Sequence, residues 1–237
     1  MLKRKDILDP LAYLISLYKL RYFLNVNDIN SVIEATKNYY GLGHYERISM
    51  TQKDEEIIKL ANLVINNNPN IILEIGTKKG GTLFTWSRIT QAKIIISIDL
   101  WGGDHGGGYS PKKKKFYKHF INGNNNRKMI LFQENSRDEK VINNIDKLLA
   151  GNKIDFLFID GDHSYNGVKS DFNNYEPFVA DNGLIAFHDI VSNPHDPSIE
   201  VPRFWGKIKN KYLFTEIIED TNQTSMGIGV LHKGGII

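Results

Sequence analysis

The sequence contains no cysteine. A disulfide framework, a thiolate zinc site and a cysteine nucleophile are therefore excluded. A chain without disulfides is compatible with a reducing cytoplasm. No run of apolar residues reaches the length of a membrane span. The basic stretch Met1–Pro10 is not followed by an apolar core of the signal-peptide kind. Charge of one sign is barely in excess, with 30 Lys and Arg against 27 Asp and Glu and a net charge of +3. Nucleic-acid binders usually concentrate basic charge on one face, and no such face is evident. The one dense basic run, Lys112–Lys115, reads as a solvated helix face. These absences predict a cytoplasmic protein with neither a membrane nor a nucleic acid as partner. With 41% hydrophobic residues over 237 positions, the chain has enough apolar material for one main core.

What is present falls into two parts. Residues 1–50 read as an N-terminal helical extension. Apolar positions recur at helical spacing over Pro10–Phe23, and a second helix is predicted over Asp28–Tyr39, capped by Asp28 or Asn30. Gly41-Leu-Gly43 then interrupts the chain. The extension is expected to pack on the main domain, to close over a substrate, or to contact a second subunit in a homo-oligomer.

Residues 51–237 alternate between strands and helices. A helix is predicted from Thr51 to about Ile65, with Thr51 placed as its cap. Strands are predicted at Ile71–Ile75, Lys93–Ile98, Met129–Gln133, Ile154–Ile159, Gly183–Phe187, Tyr212–Ile218 and Met226–Leu231. The first five are continuously apolar and helices intervene. This predicts an α/β fold: a Rossmann-like, doubly wound, mostly parallel seven-stranded sheet with helices on both faces. Gly76, Asp99, Asp160 and Asp189 each follow a strand directly. In such a sheet, ligands bind at the carboxyl ends of the strands.

The turn Glu74-Ile-Gly76-Thr77-Lys78-Lys79-Gly80-Gly81-Thr82 joins the first of these strands to a helix. Glycines there let backbone approach a ligand closely. Asp99, at the end of the next strand, is placed to reach ribose hydroxyls. Together they predict a nucleoside-cofactor site. A pyrophosphate prefers the G-x-G-x-x-G spacing. Here Lys78 occupies the middle position and Glu74 precedes the turn. That charge suits a cationic ligand, such as the amino group or sulfonium of S-adenosylmethionine.

The turn, Asp99, Phe158-Ile-Asp160-Gly-Asp-His163-Ser-Tyr165, Gly183-Leu-Ile-Ala-Phe-His188-Asp189 and Val201-Pro-Arg-Phe-Trp205 resemble class I S-adenosylmethionine-dependent methyltransferases. The branch they resemble holds the catechol-methyltransferase-like, metal-assisted O-methyltransferases. It includes macrolide-sugar and rhamnosyl O-methyltransferases and cephalosporin hydroxylase-like proteins. The resemblance runs from about Thr51 to Leu231, and Asp160–His163 is its most specific part. The wide glycine spacing departs from the commonest methyltransferase turn and is shared with the catechol-type relatives.

The resemblance implies that Glu74, Gly76 and Thr77 face the methionine part of the cofactor; Gly80, Gly81 and Thr82 of the same turn are expected cofactor-binding residues. It implies that Asp99 binds the ribose and that Ser136 contacts the adenine. Leu100 and Trp101, directly after Asp99, are further expected cofactor-site residues, with Trp101 placed near the adenine ring by the loop it opens. Asp160 and Asp189 are implied to hold a divalent metal, with Mg²⁺ expected. Asp160 is also expected to take part in catalysis and to touch the cofactor, and His188 is a candidate third ligand. His163 is implied to be the general base. The residues themselves agree with that chemistry. Two carboxylates at neighbouring strand ends can converge on one cation, and oxygen ligands suit Mg²⁺. A metal and a base together activate a hydroxyl.

The expected reaction is therefore methyl transfer to a hydroxyl of a small molecule or glycosyl group. The alternatives are an NAD-type oxidoreductase and a non-catalytic cofactor-binding member of the fold. Several residues carry a plainer alternative. His163 would otherwise cap the helix that follows it, and His188 would pack. His105, His119 and His195 read as surface or loop residues, and Trp86 and Trp205 as core aromatics. The Gly102–Gly108 loop is expected to act as a lid. Tyr109 and Asn193–Pro197 are candidates for the acceptor pocket.

Overall fold

The computed structural model describes residues 8–102, 108–121 and 126–235. The sheet has seven strands: β1 (Ile71–Ile75), β2 (Ile94–Ile98), β3 (Lys128–Phe132), β4 (Ile154–Ile159), β5 (Val179–His188), β6 (Leu213–Ile217) and β7 (Ile228–His232). Their order is β3-β2-β1-β4-β5-β7-β6. β7 alone runs antiparallel to its neighbours, β5 and β6. The expected mostly parallel, doubly wound sheet is what the chain forms.

Helices on one face are α1 (Asp9–Arg21), α2 (Ile29–Asn38), α3 (Asp54–Asn67), α4 (Gly81–Ile89) and α5 (Pro111–Tyr117). On the other lie α6 (Glu139–Leu149), α7 (Tyr165–Tyr175) and α8 (Val201–Ile208). The strands divide their side chains by parity between two cores. Ile72, Ile95, Phe156, Phe158 and Ala186 face the first helical layer. Leu73, Ile75, Ile96, Ile98, Leu157, Ile159 and Phe187 face the second. This two-sided burial is why these strands read as unbroken apolar runs.

The N-terminal extension is continuous with the first core. Leu20, Val32, Ile33, Tyr39, Tyr45 and Ile48 pack in one cluster with Leu83, Phe84, Trp86, Phe116 and Phe120. Asp28 caps α2 by accepting from the Ser31 N–H at 2.9 Å. Among the described residues, no helix is long and apolar enough to cross a membrane.

Two boundaries differ from expectation in ways that matter. The helix placed from Thr51 begins at Asp54, and its N-cap Lys53 makes no side-chain cap bond. Thr51 and Gln52 instead form part of a cavity wall. The strand placed at Gly183 begins at Val179, because Val179 pairs with Ile154 across an irregular register.

Register sets the site. Ile75 pairs with Ile98 on one side and Ile159 on the other, and Ile159 pairs with Phe187. The residues that follow, Gly76, Asp99, Asp160 and His188, thus emerge side by side at one edge of the sheet.

Candidate active site

A cavity of about 280 Å³ opens at that edge. Its floor is the β1–α4 turn, Gly76–Lys79 with Thr82, and its flanks are Asp99 and Leu100 after β2, Glu134–Arg137 after β3, and Asp160–His163 after β4. Ser49–Gln52 form the opposing wall.

The turn has two strict glycines. Gly76 has φ +92°, and a Cβ there would lie 1.9 Å from the Asp160 carbonyl oxygen. No side chain fits between β1 and β4 at that point. Gly81 begins α4, and a Cβ there would lie 2.4 Å from the backbone of Ser49 and Met50. Its N–H donates to the Ser49 carbonyl at 3.2 Å, which brings the N-terminal segment against the turn. Lys78, at the position where a glycine is commoner, takes the left-handed conformation with φ +48°. Its backbone N–H points at Oδ2 of Asp99, and its carbonyl accepts from the Tyr117 hydroxyl at 3.2 Å.

Asp99 is nearly buried and lines the cavity. Burial pushes its carboxyl up to about 6, against the backbone N–H groups of Lys78, Thr77 and Leu100, which favour the charged form. The turn thereby fixes it in place. After β3, Ser136 donates from Oγ to Oδ1 of buried Asp171 on α7 at 2.6 Å. The Tyr175 hydroxyl donates to the Ser136 carbonyl at 2.8 Å. Arg137 pairs with Asp162 at 3.1 Å.

The acid and imidazole groups gather after β4 and β5. Ligand atoms of Asp160, His163 and Asp189 all lie within 4.8 Å of one another. His163 Nε2 is 3.4 Å from Oδ1 of Asp160, and its Nδ1 is 3.5 Å from Oδ2 of Asp189. His188 is buried behind the pair, with Nδ1 3.2 Å from Asp160 and 3.3 Å from Asp189. Burial opposes charging Asp160, but the facing His188 and His163 outweigh it and hold the carboxyl far below the usual range. Burial likewise opposes charging the two imidazoles, and the carboxylates outweigh it and raise both. Asp189 sits at φ +61°, a left-handed turn that bends the chain out of β5.

The placement of the expected residues is uneven. Gly76, Thr77, Thr82, Asp99, Leu100, Ser136, Asp160 and His163 line the cavity, whereas Glu74, Gly80, Gly81, Trp101, His188 and Asp189 do not. Glu74 is fully buried on the first-core face. Its Oε1 accepts from Thr77 Oγ1 at 2.7 Å and its Oε2 from Trp86 Nε1 at 2.8 Å. Burial pushes its carboxyl up to about 7. It therefore braces the turn from beneath and does not face a ligand. Trp101 is exposed, and of the loop after it only Gly102 and Gly108 are among the described residues. His105 lies outside them.

His163 is not the cap of α7. That role belongs to Ser164, whose Oγ accepts from the Gly167 N–H at 3.1 Å. Tyr109 is buried and its hydroxyl donates to the Phe132 carbonyl at 3.0 Å, so it offers nothing to an acceptor pocket. His119 bonds Tyr13 at 2.8 Å, and His195 is exposed.

Gln52 is the residue that sequence reasoning passed over. Its Nε2 donates to Oδ2 of Asp160 at 2.6 Å, across more than a hundred residues of chain. Long-range pairing of this kind leaves no local pattern; the nearest signal was a polar residue just before a helix.

A family model for a methyltransferase domain, Methyltransf_24, matches residues 73–190, the span from β1 through Asp189 and Ile190. Residues 73–190 form a methyltransferase domain of this family. Protein R132 of Acanthamoeba polyphaga mimivirus is 35% identical over 130 residues, 54% of this chain and 54% of the relative. Protein y4gI of Sinorhizobium fredii is 26% identical over 145 residues, 59% of this chain and 15% of the relative. The methyltransferase thus spans about half the length of the first relative and much less of the second.

Solved structures share its fold. An O-methyltransferase from Bacillus cereus, in complex with S-adenosylhomocysteine, superposes with a TM-score of 0.55 at 15% identity, covering 95% of this chain and all of the other. TomG, an O-methyltransferase of Streptomyces achromogenes in complex with S-adenosylmethionine, gives 0.56 at 12%, covering 98% and 100%. An O-methyltransferase described as putative, from Klebsiella pneumoniae, gives 0.54 at 14%, covering 95% and 99%.

Proposed function

We propose that this methyltransferase uses S-adenosylmethionine to methylate a hydroxyl oxygen of a small molecule, with a glycosyl group the favoured acceptor. The observation that carries the reading is the convergence of Asp160, His163 and Asp189 at the edge of the cavity formed by the Gly76 turn and Asp99. The B. cereus enzyme is in complex with S-adenosylhomocysteine and TomG with S-adenosylmethionine, and we carry that cofactor pair over on the shared fold.

The roles follow from position. Asp99 accepts from the ribose hydroxyls. Ser136, held by Asp171, meets the adenine. Gly76 and Thr77 pass close to the methionine part. When bound, S-adenosylmethionine supplies an electrophilic methyl group on a sulfonium that leaves as a neutral thioether. His163, lining the cavity, takes the proton of the acceptor hydroxyl at a ring nitrogen. Much of the remaining work is alignment, for which a rigid strand-end site is suited.

The two carboxylates of Asp160 and Asp189 converge closely enough to fit a small divalent cation, which prefers oxygen ligands. Asp160 and Asp189 would hold Mg²⁺, and His188 behind them keeps both carboxylates turned the same way. A bound cation would acidify the acceptor hydroxyl. A second reading has a specific basis, since His163 and His188 each lie within 3.5 Å of both acids. Protonated imidazoles would then replace the metal as counter-charge.

Turnover on a panel of sugars and catechols, with and without EDTA, tests both readings. Loss of activity in EDTA, restored by Mg²⁺, is expected. Undiminished activity in EDTA would remove the metal. A thermal shift with S-adenosylhomocysteine but not with NAD is expected as well, and the reverse would favour an oxidoreductase. Absence of turnover with cofactor bound would favour a binding-only member. We further propose a cytoplasmic enzyme without nucleic acid or membrane as partner. Residues 1–50 would close the cofactor site, or join two copies into a homo-oligomer.

A further inference from the structure

Gln52 is 7% exposed and sits in the cavity wall. Its Nε2 donates to a carboxylate oxygen of Asp160, which can only accept, so this contact fixes which end of the amide faces Asp160. The other end, Oε1, is buried and has no hydrogen-bond partner among the described residues. A buried carbonyl without a donor costs stability, and such atoms are rare in folded proteins. In a ligand cavity, the natural explanation is a donor that arrives with the ligand.

The strand order says which part of the ligand that is. Asp99 follows β2 and Ser136 follows β3, so the adenosine half lies over β3 and β2. Gly76 follows β1 and Asp160 follows β4, the next strands in the sheet. A molecule laid across these strand ends brings its amino-acid half to the place where Gln52 meets Asp160. An unpaired carbonyl oxygen beside an ionised carboxylate is complementary to a cationic N–H donor. A neutral hydroxyl of the acceptor would approach from the His163 side of Asp160, whereas Gln52 bonds the opposite oxygen.

We infer that Gln52 recognises the α-ammonium group of the methyl donor, accepting one of its hydrogens at Oε1 while Nε2 holds Asp160 in line. This rests on the proposed methyl-donor reading. It assigns a ligand-binding role to the N-terminal wall, outside residues 73–190.

Two cofactor fragments separate this role from a structural one. S-adenosylhomocysteine carries the ammonium group, and 5′-methylthioadenosine keeps the adenosine and sulfur without it. Titration calorimetry of both on the wild type and on Gln52→Met, which is similar in size and has no amide, makes the comparison. S-adenosylhomocysteine should bind about tenfold to a hundredfold more weakly to the variant, the range for a hydrogen bond to a charged group. Methylthioadenosine should change by less than about twofold, well inside the error such comparisons carry.

Equal weakening of both compounds, or of neither, would overturn the inference. Should Gln52→Met fail to fold, Gln52→Asn, which withdraws the carbonyl by one methylene, carries the same comparison. A wild type that binds neither compound would sink the methyl-donor reading itself, a result distinct from either outcome in the variant.

Discussion

The indole N–H of Trp86 donates to Oε2 of Glu74 across 2.8 Å, with both residues fully buried. The other carboxyl oxygen is held by Thr77, whose hydroxyl also lies 2.6 Å from Ser97. One buried acid thus ties β1, β2, α4 and the Gly76 turn together. Its carboxyl is raised from 4.5 to about 7 by burial. The folded state therefore keeps a proton that the unfolded chain releases. Stability from this group is fully present below about pH 4.5 and is lost as pH rises through about 7. Glu74→Gln should flatten that part of the stability–pH curve, measured by urea denaturation from pH 4.5 to 8. Glu74→Ala should cost about 2–4 kcal/mol, because it leaves the buried Trp86 N–H unpaired beside a void.

Gly76→Ala should be among the most damaging single changes in the chain. The added methyl would sit 1.9 Å from the Asp160 carbonyl, at a φ of +92°. A loss above about 3 kcal/mol, or failure to fold, is expected from overpacking and backbone strain together. Lys78→Gly should do the opposite. The backbone already adopts φ +48° there, and left-handed geometry costs a side-chain-bearing residue about 1–2 kcal/mol. An unchanged or raised melting temperature is expected, with cofactor affinity retained because the N–H to Asp99 survives.

Asp99→Ala should weaken S-adenosylhomocysteine binding by about tenfold to a hundredfold, as expected for lost hydrogen bonds to a charged group. Calorimetry would measure it. Asp99→Asn should lose less, since one oxygen remains for the Lys78 N–H. Affinity unchanged in both variants would remove Asp99 from the cofactor site.

His163→Ala should lower turnover by about two to four orders of magnitude, the usual contribution of a positioned acid or base. S-adenosylhomocysteine affinity should stay within a few-fold. Parallel loss of both would mean that the imidazole holds the site together and moves no proton.

The fold was open to reading because each half of the sheet is buried on two faces. Ile71–Ile75, Ile154–Ile159 and their neighbours could be nothing but interior strands, and the residues after them fell at one edge. The candidate acids Asp99, Asp160 and Asp189 were visible for that reason. What escaped was the direction of side chains within the edge. Glu74 precedes the turn in sequence, but strand parity sends it into the first core beside Ile72. Thr51 looked like a helix cap, yet the helix starts at Asp54 because Gln52 is committed to Asp160. The resemblance makes His163 the base, and His188 is a candidate ligand. The distances place both imidazoles on both acids, a three-dimensional coincidence that no spacing along the chain encodes.

The wall formed by Ser49–Gln52 has a bearing on what counts as the working unit. The family match begins at residue 73, but the cavity begins at residue 49 and is sealed where Gly81 meets the Ser49 backbone. A fragment trimmed to the homologous span would keep most of the parallel sheet and lose one side of the cavity. The segment that ancestry identifies is smaller than the segment that encloses the cavity.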